Sequence, residues 1–118
     1  GADIPLDTLN RLCWFGAIDG VASQVIDICE QMVAEAERTT SSKVNDYRDS
    51  RGLARALSGD VAGAIEDMQS AIQYWKDNAP DSYSRFGPKR EDWVHRLQAG
   101  ESPADVFDTG MLEGLRNE

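Results

Sequence analysis

Histidine occurs once and cysteine twice in these 118 residues, and that scarcity excludes several kinds of chemistry. Cys13 and Cys29 are too far apart to form a CxxC pair and His95 has no companion, so neither a zinc site nor a disulfide scaffold is indicated. Reduced thiols in a cytoplasmic protein fit best. Basic residues are also in short supply: 12 Lys and Arg stand against 21 Asp and Glu, a formal charge of −9. That is the wrong field for attracting a phosphate backbone, so no nucleic-acid partner is expected. No apolar run approaches the ~20 residues of a membrane span or resembles a signal peptide, and a soluble protein without a membrane partner is expected. The start lacks methionine: Gly1-Ala2-Asp3 reads as an excised fragment with a cloning scar at 1–2, or as a processed product of a longer parent. What remains, 3–118, has the length of one domain, enough to bury roughly two thirds of the surface its unfolded chain exposes.

Within that length the clearest pattern lies at 49–68. Val61, Ala64, Ile65, Met68, Ala71, Ile72 and Trp75 recur at i, i+3, i+4 and i+7, the spacing of a helix with one buried stripe. The preceding arm is rich in small residues, with Gly52, Ala54 and Ala56 beside Leu53 and Leu57, which lets two helices approach closely. Between the arms, Gly59 can take the left-handed conformation that ends one helix, and Asp60 can cap the next. The spacing predicts a helical hairpin over 44–77.

Those residues resemble the tetratricopeptide repeat, a helix–turn–helix unit of about 34 residues that stacks into an interaction surface. The likeness rests on Gly52, Gly59-Asp60, Ala64, Met68 and Ala71. Arg55 stands where the family often has an aromatic residue, and Lys76 where its closing proline is expected. Laying Gly20 on Gly59 aligns Val25 with Ala64, Ile26 with Ile65, Cys29 with Met68 and Val33 with Ile72. That is a weak internal repeat at an offset of 39 residues, whose surplus the polar stretch 38–43 can hold as a loop. In this first hairpin Cys13 and Val25 replace the small residues of the family. The segments Cys13–Gly16, Asp49–Leu57 and Arg96–Pro103 are also similar to a tetratricopeptide-like module attached to bacterial, notably cyanobacterial, multidomain signalling proteins.

In chain order, Leu6, Leu9, Leu12, Cys13, Phe15 and Ile18 predict a first helix capped by Asp7 or Thr8. After Gly20, the stripe Ala22, Val25, Ile26, Cys29, Met32, Val33 and Ala36 predicts a second, completing a hairpin over 6–38. Asp77–Ser82 and Gly87-Pro88 read as turn chemistry bounding a loop. Capping helices follow over 88–116: a fifth begins at Pro88 with Trp93, Val94 and Leu97 facing inward and closes at Ala99-Gly100. A further turn can start at Ser102-Pro103, and Val106, Phe107, Met111, Leu112 and Leu115 mark a sixth helix weakened by Gly110 and Gly114. The expected fold is all-α, five to six helices in antiparallel hairpins stacked as a short tetratricopeptide-like right-handed superhelix.

Nothing forms a catalytic constellation. His95 lacks a nucleophile at a motif's spacing and reads as a surface histidine, while Cys13 and Cys29 fall on inward stripes as small hydrophobes. The carboxylates lack paired, calcium-binding or HExxH spacing, and Gly59–Gly63 lacks the lysine of a phosphate loop. No enzyme activity, metal or cofactor is expected. Trp14, Trp75 and Trp93 read as core, with Trp14 kept as a candidate platform.

The resemblance implies that the first helix of each hairpin lines a concave face, here Asp7, Asn10, Trp14 and Ala17, then Asp46, Asp49, Leu53 and Ala56. Candidate partner-binding residues are therefore Asp7, Asn10, Trp14, Asp46, Asp49 and Leu53. Only Asn10 matches the family's lysine and asparagine clamp for a C-terminal carboxylate, so an acidic, aromatic-floored groove favours a basic or neutral peptide. A competing stripe, Arg48, Arg51 and Arg55, would suit an anionic partner, its plainer reading being internal pairing with Asp49, Asp60, Glu66 or Asp67. The implied function is non-catalytic protein–protein interaction. The alternative is self-association, or docking onto neighbouring domains of a larger bacterial signalling protein. Whether the concave face is open or covered by the segment from Val106 to Leu115 decides between an open groove and a closed helical unit.

Overall fold

At the turn between the two best-patterned helices, Gly59 takes φ +101°, a left-handed backbone that a side chain would strain. Asp60 then accepts the Gly63 N–H at 3.0 Å and caps the next helix. These features belong to a computed structural model that describes residues 4–118; the reading of residues 1–2 as a scar lies outside the described residues. The order is α1 Leu6–Ile18, α2 Ala22–Arg38, α3 Val44–Leu57, α4 Val61–Asn78, α5 Pro80–Gln98, α6 Pro103–Val106 and α7 Thr109–Leu115. The fold is all-α, with no strand among the described residues.

Consecutive helices pack in turn from α1 to α5, and α1 also lies against α3. Small side chains bring α3 and α4 together as their sequence implies: a Cβ on Gly52 would stand 3.1 Å from Asp67 Cβ and 3.4 Å from Met68 Cγ. The chain then doubles back. α6 packs on α5 and α3, and α7 returns to α1. Val106, Phe107 and Leu115 are buried with Leu53, Ala56, Ala17, Met32 and Met68 in one core, where Trp93 meets Phe107 edge-on at 4.9 Å. No helix among the described residues is long and apolar enough to cross a membrane.

Four expectations are corrected. Cys13 and Cys29 form a disulfide, not reduced thiols. The inward stripes of antiparallel α1 and α2 that bury both residues also set their Cα atoms 5.3 Å apart, within bridging reach, and the thiol argument for a cytoplasmic location falls with it. Next, α5 does not begin at Pro88; it begins at Pro80 and runs through Gly87-Pro88 to Gln98. Pro80 already supplies the preset φ of a first helical residue, so Ala79 alone suffices as the connection. Pro88 forfeits one hydrogen bond, while Trp75 against Phe86 at 5.8 Å and Lys76 over Tyr83 at 5.3 Å hold the first half of α5 on α4. The Tyr83 ring takes the space that a side chain at Gly87 would need. The cap expected at Asp7 or Thr8 does not form, because Pro5 precedes the first helical residue and Asp7 turns to α3. The segment expected as a sixth helix is split at Phe107 into α6 and α7, capped by Ser102 and Asp108.

Candidate functional site

Arg90 projects from the middle of α5 and is 2% exposed. A charge at that depth must be paired. Its Nε and Nη2 donate to Asp49 Oδ1 and Oδ2 of α3 at 3.1 and 2.8 Å. Its Nη1 and Nη2 donate to the carboxylate of Glu118, both at 2.7 Å. Four rings surround the guanidinium carbon: Trp93 at 4.6 Å, Phe86 at 5.3 Å, Trp14 at 5.6 Å and Trp75 at 5.9 Å from their centroids. The ring faces carry the negative end of the aromatic quadrupole and so favour a cation among them.

This cluster forms the floor of a cleft of about 270 Å³ between α1, α3 and α5. Asn10, Arg11, Trp14 and Phe15 come from α1, Asp46, Asp49 and Ser50 from α3, and Ser82, Phe86 and Arg90 from α5, with Trp75 and Glu118 closing it. Trp75 is fixed by donating its indole N–H to Asp46 Oδ1 at 3.0 Å. Burial pushes the Asp49 carboxyl above the ordinary carboxylate value against the pull of Arg90. Burial also raises Glu118, but its bonds from Arg90 and Lys89 outweigh that and leave it below. Asn10 Oδ1 is buried with no hydrogen-bond partner among the described residues.

Of the sequence-derived candidates, Asn10, Trp14, Asp46 and Asp49 meet in the cleft. Asp7 does not. It accepts from Tyr47 Oη at 2.8 Å and Lys43 Nζ at 3.1 Å, tying α1 to the start of α3. Leu53 is fully buried, as are Ala17 and Ala56. The predicted lining residues are thus divided: Leu53, Ala17 and Ala56 are core together with residues of α6 and α7, while Asn10, Trp14, Asp46 and Asp49 line the cleft.

The arginine stripe turns to α2 and α4. Arg48 donates to Glu37 at 2.7 Å, Arg51 to Asp67 at 2.7 and 2.9 Å, and Arg55 to Glu30 at 3.1 Å and Asp67 at 3.2 Å. Its charges are matched internally by Asp67 as expected, and by Glu30 and Glu37 of α2. Asp49 pairs with Arg90 instead. His95 is exposed on α5.

Sequence reasoning missed Arg90 and Phe86. They lie four apart on one face of α5, a relation hidden once Gly87-Pro88 is read as a break. Trp75 and Trp93 are core residues, 3% and 0% exposed, and Trp75 also borders the cleft. No family model, no curated protein and no solved structure matches the chain.

Proposed function

We propose that the chain is a non-catalytic protein–protein interaction module of tetratricopeptide-like hairpins that binds a peptide or protein segment between α1, α3 and α5. The observation that carries this reading is the cleft itself. Helices distant in sequence bring Trp14, Trp75 and Phe86 to one open pocket, with Phe15 39% exposed at its rim. Aromatic rings beside satisfied polar groups are the usual anchors of an interface. The floor is preorganised by the Arg90–Asp49 pair, so a segment can bind without much ordering cost on the module's side. The electrostatic case for a basic segment rested on Asp46 and Asp49. Arg90 neutralises Asp49, so that case rests on Asp46 alone.

Screening a peptide display library against the intact chain tests the proposal. Trp14→Ala removes a half-buried ring from the rim, and peptides selected on the native chain should bind this variant about tenfold or more weakly. Recovery of no binders, or of binders indifferent to Trp14→Ala, would sink the reading. Self-association or docking onto a neighbouring domain is a second reading, favoured by Ile4 and Leu12, 56% and 46% exposed at the α1 edge. A solution mass that rises with concentration would speak for it.

A further inference from the structure

Three cations of α5 converge on Glu118. Arg90 grips its carboxylate with two donors at 2.7 Å, Lys89 Nζ donates to the same group at 3.1 Å, and Arg85 Nη2 reaches its main-chain oxygen at 3.5 Å. Lift Glu118 away and the Arg90 guanidinium keeps only Asp49 as a carboxylate partner, with the donors that faced Glu118 turned towards the aromatic cleft. Unsatisfied buried donors on a charged group are costly, so this seat calls for an anion. Two oxygens in one plane match the guanidinium fork.

Glu118 is otherwise tied through its main chain. It lies three residues beyond α7, a seven-residue helix containing Gly110 and Gly114. The last main-chain bonds there are long, Asn117 N–H to Gly114 O at 3.4 Å and Glu118 N–H to Leu115 O at 3.2 Å.

We propose that the Glu118 seat is a receptor for an aspartate or glutamate side chain of the bound segment, placed next to an apolar residue that enters the aromatic cleft, with Glu118 its competitor in cis. The inference rests on the cleft being the binding face. Charge complementarity selects this occupant: Arg90, Lys89 and Arg85 are the charges that converge on the seat, and with Glu118 withdrawn only Asp49 still pairs with Arg90. A lysine there would be set against a cation that is already buried.

The test uses the full chain and its Glu118→Ala and Glu118→Gln variants. The probes are the capped peptides acetyl-Gly-Trp-Glu-Gly-amide and its counterparts with Gln or Lys in place of Glu. Binding is followed by NMR at the Arg90 Nε–H and the Trp14 indole N–H. Because a tethered competitor acts at high effective concentration, the Glu peptide should bind both variants about tenfold or more tightly than the native chain. It should also outbind the Gln and Lys peptides by a similar factor. Glu118→Gln keeps the side-chain length, so it serves should Glu118→Ala fail to fold. Equal affinity of the Glu peptide for native chain and variants, or no preference for Glu over Gln, overturns the seat while leaving the binding face standing. If no peptide shifts the Trp14 signal in any variant, the seat and the proposed binding face fall together.

Discussion

Arg90 ties α5 to α3 through Asp49 and to the far end of the chain through Glu118. Such a charge does not stabilise simply by being paired, because taking both partners out of water offsets much of their attraction. Losing one partner is different. Arg90→Met would strand Asp49, 6% exposed, whose carboxyl burial already pushes up. The expected loss is about 3–5 kcal/mol in urea unfolding. Adding Asp49→Leu should recover most of it, since two apolar side chains in place of a buried pair are often neutral. A double variant no more stable than Arg90→Met would mean that Arg90 acts by packing on its four rings and not through Asp49.

At the scale of elements, the disulfide joins α1 to α2 and so fixes one wall of the cleft to its support. A loop of about 15 residues closed by a disulfide is worth roughly 3 kcal/mol through the unfolded state, and Cys13→Ser with Cys29→Ser should lower stability by about that much. The same denaturation midpoint in the native chain and the double variant would show that the bridge adds nothing. The bridge also marks where sequence reasoning stops short. The periodicity of Cys13 and Cys29 placed both on inward stripes, but stripes state which face is buried and not which two residues meet across it. For the same reason α1 to α4, each carrying one apolar stripe or a glycine stop, were legible, and four lining residues of the cleft with them. α5 was not. Prolines and glycine inside it speak locally for a break, and only the packing of Phe86 and Tyr83 on α4 decides otherwise. Leu12 and Phe15 belong to α1's apolar set yet stand exposed, because a helix at the edge of the stack has one face with nothing on it.

For the whole molecule, acid and alkali should act through different tethers. Burial, aided by the hydrogen bond to Asp7, pushes the Tyr47 phenol from 10.0 to about 12. The unfolded chain therefore releases that proton near pH 10 while the folded chain keeps it, and stability falls as pH rises from 10 to about 12. The interval corresponds to roughly 2–3 kcal/mol. Glu118 has the opposite sign. Its folded value lies below the ordinary 4.5, so its contribution is complete above that pH and fades as pH falls through the folded value. Unfolding free energies across the pH range should show the alkaline decline in the native chain and a smaller one in Tyr47→Phe, where Tyr83, whose phenol the bond to Glu91 also raises, still contributes. A decline that persists undiminished in Tyr47→Phe would assign it elsewhere.

The return of α7 to α1 gives the molecule a history as well as a shape. Each helical hairpin closes over a short loop and can form early, but the pair Arg116–Asp19 joins residues 97 apart in sequence, and such contacts are slow to form. During synthesis α1 to α5 emerge before α6 and α7, whose Val106, Phe107 and Leu115 join Leu53, Ala17 and Ala56 in the core. Until then that part of the core lacks its last apolar partners and is open to chaperones or to premature self-contact.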